Sequence, residues 1–180
     1  MRPTDRPPEP LAGAAGFRFA IIVSRFNEAI TERLREGARG ALAEAGASPH
    51  DVDVMVVPGA FELPQAAQYA AESGHFDAIV CLGCVIRGAT PHFEYISSAV
   101  AQGIMTASLR TGTPIAFGVL TTDTPEQAEE RSSDRDNKGR EAAVAALEMA
   151  VLFRRLGRAP ARAGGARPFG FEPKRSDGGT

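Results

Sequence analysis

Four short apolar segments alternate with segments of helical periodicity between residues 17 and 156. The apolar segments are rich in β-branched residues and are bounded by turn signals, so they predict β-strands at 17–24, 52–57, 78–86 and 115–120. Apart from Arg18 and Asp53, each segment is a continuous apolar run without alternation, which indicates strands buried on both faces. Strands that alternate with helices over short connections predict an α/β fold, a three-layer sandwich in which helices cover both faces of a four-stranded parallel sheet.

The helical segments have clear stop signals. In the first of them, apolar residues spaced from Ile30 through Leu34 to Ala45 share one face, and Gly46 supplies the stop. The same reasoning predicts helices over 28–45, 63–72, 92–109, 125–131 and 138–156.

Both ends of the chain differ in composition from this central region. Residues 1–16 contain four prolines and have no net charge, whereas residues 157–180 are rich in Gly and Pro and carry a net charge of +3. Such segments bury too little apolar surface to offset the entropy cost of ordering them. We therefore expect a single domain over 17–156, between a disordered tail at 1–16 and a disordered basic tail at 157–180.

The charge balance excludes several classes of function. The chain has 22 acidic and 20 basic residues, a net charge of −2, whereas a general nucleic-acid or membrane-surface binder has a large positive excess. Its apolar segments are far shorter than the ~20 residues that a membrane-spanning helix needs. The N-terminal residues lack the apolar core of a secretory signal, and two cysteines are too few for a disulfide framework, so we expect reduced thiols in the cytoplasm.

Parallel sheets bind ligands beyond the carboxyl ends of their strands, which directs attention to the loops at 24–28, 58–64, 86–92 and 120–125. In the first loop, Phe26 could stack on a planar ligand or fold back over the core. In the second, Gly59 and Ala60 allow a ligand to approach the backbone closely. Glu62 could accept hydrogen bonds from ligand hydroxyls or interact with the first turn of the next helix.

The third loop predicts an anion site. Gly88 and Ala89 lead into a helix N-terminus, where unpaired N–H groups and the helix dipole favour a phosphate. Thr90 is the expected N-cap, and Pro91 occupies the preferred first helical position. His92 falls in the first turn, where the dipole disfavours imidazolium, so a neutral imidazole able to exchange protons is expected.

The two cysteines match a C-x-x-C spacing. Cys81 and Cys84 fall within a predicted strand, in which residues three apart point to opposite faces. A redox dithiol needs adjacent sulfur atoms at a helix N-terminus. We therefore expect buried structural thiols.

Taken together, five segments resemble the lumazine synthase family in order and in spacing over about residues 17–156. They are Arg25-Phe26-Asn27, Pro58-Gly59-Ala60-Phe61-Glu62-Leu63-Pro64, Gly83 to Tyr95, Phe117-Gly118-Val119-Leu120-Thr121 and Asn137-Lys138-Gly139. The resemblance implies a flavodoxin-like strand order. It also implies condensation of 5-amino-6-(D-ribitylamino)uracil with 3,4-dihydroxy-2-butanone 4-phosphate, a step of riboflavin biosynthesis that uses no cofactor and no metal.

The resemblance also implies roles for individual residues. His92 moves protons, and the substrate-binding set is Phe26, Asn27, Gly59, Ala60, Phe61, Glu62, Cys84, Val85, Ile86, Gly88, Ala89, Thr90, Phe117, Arg131 and Lys138. Three of these, Phe117, Arg131 and Lys138, are expected to come from a neighbouring subunit, because members of the family form rings of five. The resemblance thus implies a homopentamer or an assembly of pentamers, with riboflavin synthase as a candidate protein partner.

One segment departs from the family pattern. Arg131 and Lys138 are seven positions apart where the family usually has eight, and Asp136 replaces a glycine. This leaves the role of Arg135 open. The alternative functions are a related riboflavin synthase that dismutates two lumazines, a non-catalytic module that binds flavin or a phosphorylated ligand, and a structural shell protein.

Overall fold

The computed structural model describes residues 13–161, which form four strands and five α-helices. The strands and helices alternate along the chain, as predicted. In chain order they are β1 (Phe19–Ser24), α1 (Glu28–Glu44), β2 (Val52–Val57), α2 (Leu63–Glu72), β3 (Ala78–Ile86), α3 (His92–Thr111), β4 (Ile115–Thr122), α4 (Pro125–Arg131) and α5 (Lys138–Arg155).

All pairs of neighbouring strands are parallel, and the order across the sheet is β2-β1-β3-β4. Helices α1 and α5 cover one face over an apolar cluster that includes Leu34 and Leu147. Helices α2 and α3 cover the other face over a second cluster that includes Leu63 and Val100. The predicted three-layer α/β sandwich is confirmed. Within residues 13–161, no helix is long and apolar enough to cross a bilayer.

The expectation that every strand is buried on both faces is correct only for the centre of the sheet. All of β1 is buried, and so is β3 as far as Cys84. Strands β2 and β4 form the two edges, where Val56 is 59% exposed and Phe117 is 43% exposed. Each edge strand has a single neighbour, and the helices do not cover it fully, so its apolar composition does not secure its burial.

Residues beyond the predicted limits of the domain also pack against it. Ala14 is fully buried, and its N–H donates to Ala45 O at 2.8 Å. After α5, Arg158 donates to Thr113 Oγ1 at 2.8 Å, and the Ala161 N–H donates to Asp77 Oδ1 at 3.0 Å. The remainder of both predicted tails, residues 1–12 and 162–180, lies outside the described residues.

Helices α1 and α5 approach each other closely at the Asn137-Lys138-Gly139 segment. Asn137 is buried, and its side-chain amide donates to Arg33 O at 2.9 Å and to Ser132 O at 3.1 Å. Its carbonyl oxygen accepts from the Arg140 N–H and so caps α5. Gly139 lies directly against the backbone of α1, so a glycine is needed there to let the helices meet.

Gly139→Ala tests this contact, because an added Cβ would lie 2.1 Å from Leu34 O, inside van der Waals contact. We expect the free energy of unfolding to fall by about 1–3 kcal/mol, the usual cost of overpacking. Gly40→Ala on α1 is the control, since a Cβ there meets nothing within 4 Å, and stability should rise by roughly 0.5–1 kcal/mol. Chemical denaturation of both variants measures the difference, and an unchanged Gly139→Ala would contradict the close contact.

Candidate active site

A cavity of about 380 Å³ opens at the carboxyl edge of the sheet, at the ends of β1, β2 and β3. This is the edge at which a parallel sheet is expected to bind a ligand. Most of the predicted site residues line it, namely Phe26, Gly59, Ala60, Phe61, Cys84, Val85, Ile86, Gly88, Thr90 and His92.

Phe26 projects from the loop between β1 and α1 and is 70% exposed. Asn27 follows it in the left-handed conformation, with φ of 59°, which asparagine tolerates better than most residues. The Asn27 side-chain amide donates to Cys84 O at 3.0 Å. The backbone turn and this hydrogen bond hold Phe26 at the mouth of the cavity, where its ring face is open to a ligand.

The loop between β2 and α2 is closed by Glu62. Its Oε2 accepts a hydrogen bond of 2.9 Å from the Gly59 N–H, across the short helical turn Ala60–Glu62. The sequence analysis considered a ligand hydroxyl or the first turn of α2 as the partner of Glu62. The observed hydrogen bond instead joins the two ends of the loop before α2 begins. Glu62 does not line the cavity, but it shapes Gly59 and Ala60, which do. Phe61 lies beside them and is 58% exposed.

The loop between β3 and α3 forms the opposite rim. The prediction that Thr90 caps α3 was wrong: the helix begins at His92, Pro91 is its N-cap, and no side chain caps it by hydrogen bonding. Proline at this position lacks an N–H and has no polar side chain, which accounts for the missing cap. Without a side-chain cap, N–H groups of the first turn stay available to an anion.

His92 is exposed at this rim, whereas its neighbour Phe93 is buried. Phe93 and Ile96 also line the cavity, and the sequence analysis did not single them out. A sequence signal for both does exist, because they precede the core residues Val100 and Ile104 at helical spacing. Their side chains make the α3 wall of the cavity apolar.

The end of β3 forms the floor of the cavity. Gly83 leaves room for two neighbours, since an added Cβ would lie 3.1 Å from Leu63 Cδ1 and 3.3 Å from Ser24 Oγ. Cys81 and Cys84 are buried in the two different apolar clusters, so the predicted opposite orientation is confirmed. Burial raises the pKa of the Cys81 thiol to about 12 and that of Cys84 to about 11, so both thiols are neutral near pH 7.

Six predicted site residues do not line the cavity of this chain. Three of them are the residues expected from a neighbouring subunit. Phe117 lies on the edge strand β4. Arg131 ends α4, donates to Gln127 O at 3.0 Å and lies 3.7 Å from a carboxylate oxygen of Glu130.

The third residue, Lys138, begins α5, and its ammonium group donates to Asp136 and Glu141 at 2.7 Å each. These two carboxylates raise its pKa, Asp136 contributing most. Of the other predicted residues, Asn27 and Glu62 support the lining from behind, and Ala89 lies in the rim loop without lining the cavity.

Within residues 13–161, the lining is therefore apolar except at its rim, and none of these lining residues is an arginine or a lysine. Its polar groups are the backbone at Gly59 and Gly88, the Thr90 hydroxyl and the imidazole of His92. Such a cavity can hold a flat ring beside Phe26, hydrogen-bond it through the backbone, and receive an anion at the α3 N-terminus. A cation to neutralise that anion is missing from the lining.

Two comparisons with known proteins agree with each other. Residues 16–154 match the sequence profile of the 6,7-dimethyl-8-ribityllumazine synthase family. A protein of Syntrophus aciditrophicus (strain SB) named 6,7-dimethyl-8-ribityllumazine synthase is 57% identical over 144 residues, which cover 79% of this chain and 94% of that protein.

Proposed function

The chain belongs to the 6,7-dimethyl-8-ribityllumazine synthase family, and we propose that it works as that family does through the cavity described above. It is a transferase of riboflavin biosynthesis that condenses 5-amino-6-(D-ribitylamino)uracil with 3,4-dihydroxy-2-butanone 4-phosphate. The observation that carries the assignment of the site is the meeting of Phe26, the Gly59–Ala60 backbone and the α3 N-terminus around one cavity.

The ring and the ribityl chain of the uracil occupy one side of this cavity. The pyrimidine stacks on Phe26, whose ring face is exposed, and such stacking contributes about 1–3 kcal/mol per base. Val85 and Ile86 at the end of β3 line the ring pocket. The backbone of Asn27 and Ala60 holds the ribityl hydroxyls. In this proposal the ribityl chain extends beyond the lining to the Glu62 carboxylate, which also accepts from the Gly59 N–H.

The phosphate of the second substrate lies at the N-terminus of α3. Gly88, Ala89 and Thr90 surround it, and the uncapped first turn offers N–H groups to its oxygens. A phosphate dianion at this site would be held more strongly beside a cation, which the lining within residues 13–161 does not supply. Arg131 of a neighbouring subunit provides it in this proposal.

The chemistry requires proton transfers and positioning. The aromatic amine and the ketone form an imine with loss of water, and phosphate leaves by elimination to give an enol that tautomerises to a ketone. The ribitylamino nitrogen attacks this ketone, and loss of a second water closes the ring. His92 stands beside the phosphate position and moves protons in these steps. Positioning of two reactants can lower a barrier by about 7–11 kcal/mol, whereas a general acid–base group contributes roughly 10²–10⁴-fold. Loss of His92 should therefore impair turnover without abolishing it.

A homo-oligomer, a ring of five or an assembly of such rings, completes the site. Two features support it besides the missing cation. Helix α3 has no charged residue from Tyr95 to Leu109, although many of these residues are exposed. The edge strands expose Val56 on one side of the sheet and Phe117 on the other. Uncharged exposed faces of this kind are typical of surfaces that pack against another subunit.

We further propose that the enzyme acts in the cytoplasm. Its two cysteines are free thiols with no disulfide between them. Riboflavin synthase is a candidate partner, because it would consume the lumazine that this enzyme releases.

A two-substrate assay tests the function directly. Purified protein incubated with both substrates should form the lumazine, followed by its absorbance, and release phosphate. Riboflavin formed from lumazine alone, without the butanone phosphate, would instead favour the related riboflavin synthase activity. Tight binding of ribitylated pyrimidines without any turnover would favour a non-catalytic binding module.

Arg131→Ala tests the assignment of the phosphate cation. Charge-assisted hydrogen bonds contribute roughly 1.5–3 kcal/mol, so KM for the butanone phosphate should rise about 10- to 100-fold while KM for the pyrimidine changes little. Arg135→Ala is the matched comparison, because this exposed arginine lies in the loop that follows α4. Equal changes in the two KM values would contradict the assignment, and an effect of Arg135→Ala alone would transfer the role to Arg135.

A further inference from the structure

Arg87 joins two separate segments at the rim of the cavity. It is the first residue after β3, and its backbone N–H donates to Thr122 O at 2.9 Å. Its Nε donates to Asp123 Oδ1 at 2.6 Å, and its Nη1 donates to Glu94 Oε1 at 2.5 Å. One side chain therefore connects the loop after β4 with the first turn of α3.

The same guanidinium also lies over the ring of Phe93, with 4.2 Å between Cζ and the ring centroid. Phe93 is buried and forms part of the cavity wall, and it directly follows His92. A planar guanidinium can stack on a ring and donate sideways to carboxylates at the same time, which an ammonium group cannot. Arg87 thus contacts the helical turn that carries His92 without itself lining the cavity.

The rim loop has little other support. Its four residues Gly88–Pro91 are exposed, and no side chain within residues 13–161 hydrogen-bonds to them. The loop is held at its ends, by Arg87 before it and by the first turn of α3 after it. Both of these anchors include the guanidinium of Arg87.

The charge of Arg87 is already balanced by its own partners. The hydrogen bonds that it donates to Asp123 and then to Glu94 raise its pKa, so the guanidinium stays protonated. With two carboxylates around one cation, the cluster has a net charge of −1 and offers no unpaired positive charge to a phosphate. A single exposed ion pair contributes little to stability. The Arg87 guanidinium makes two ion pairs and also stacks on a ring, so its contacts form a network. Its contacts suit it to hold the loop in place.

We propose that Arg87 is a positioning residue, which sets the place of His92 and of the loop Gly88–Pro91 through Phe93 and Glu94. The proposal rests on the proposed function in one respect, since it takes His92 as the group that moves protons. A displacement of about 1 Å can cost on the order of 100-fold in rate, so a positioning residue can affect turnover without touching substrate.

The first test needs no turnover. Diethyl pyrocarbonate acylates histidine side chains, and peptide mass spectrometry gives a rate for each of His50, His75 and His92. Arg87→Met should raise the rate at His92 at least threefold and leave His50 and His75 unchanged, because both lie outside the α3 turn. Equal rates at His92 with and without Arg87 would overturn the proposal.

The second test is a double-mutant cycle on kcat. Arg87→Met should lower kcat about tenfold in the otherwise native enzyme. In the His92→Ala background it should lower kcat less than about twofold, because no imidazole is left at position 92 to be displaced. An equal loss in both backgrounds would overturn the proposal. Arg87→Lys keeps the charge and loses the planar guanidinium, so its effect on kcat should be intermediate. It replaces Arg87→Met in the cycle if Arg87→Met does not fold.

Glu94→Gln and Glu44→Gln provide a matched pair of variants. Each removes a carboxylate from an exposed ion pair with an arginine, but Glu44 pairs with Arg140 away from the cavity. Glu94→Gln should change the His92 acylation rate in the direction of Arg87→Met, whereas Glu44→Gln should not change it. Failure of the native enzyme to form lumazine would contradict the proposed function, and the acylation rates would still decide whether Arg87 holds His92.

Discussion

The parallel pairing of β1 with β3 at the centre of the sheet determines where a ligand can bind. The chain leaves β1 toward α1 on one face of the sheet and leaves β3 toward α3 on the other. Two loops that diverge in this way open a crevice between them, the usual binding position in α/β sheets. Phe26 stands on one side of that crevice and the α3 N-terminus on the other. An exposed aromatic ring and a helix N-terminus suited to an anion are thereby brought to one cavity.

Within residues 13–161, the same geometry leaves the cavity without a cation for a phosphate. Its walls are the ends of apolar strands and the inner face of α3, which supply shape and backbone groups but no lysine or arginine. Arg87, the nearest arginine in sequence to the rim loop, is engaged by Asp123 and Glu94. Lys138 is engaged by Asp136 and Glu141. We infer that the cation for the phosphate comes from another subunit, so that assembly and activity are coupled.

Local sequence patterns were sufficient to predict the elements of this fold. The bounds predicted from glycines, prolines and apolar runs agree with the structure for strands β2 and β3 and for helices α2 and α4. The carboxyl-edge loops followed from the rule for parallel sheets, and with them the places of Phe26, Gly59 and Gly88. Family resemblance, not physical pattern, supplied Phe117, Arg131 and Lys138.

What the sequence could not reveal depends on contacts between distant residues. Strand β2 is as apolar as β1, so composition did not distinguish an edge strand from a central one. The hydrogen bonds of Asn137 to Arg33 O and of Asn27 to Cys84 O join residues far apart in the chain. The predicted start of α3 at residue 92 agrees with the structure, but its N-cap is Pro91 and not Thr90. Helix ends are the least certain part of any prediction from sequence.

A subunit-mixing experiment tests the shared site most directly. Phe26→Ala and Arg131→Ala enzymes, each nearly inactive at low substrate, are unfolded and refolded together in equal amounts, and native mass spectrometry confirms mixing. If Phe26 of one subunit faces Arg131 of the next, about a quarter of the sites in a closed ring receive both native residues, and activity should recover to about a quarter of the native value. Activity no higher than the average of the two separate variants would show that each site is built within one subunit.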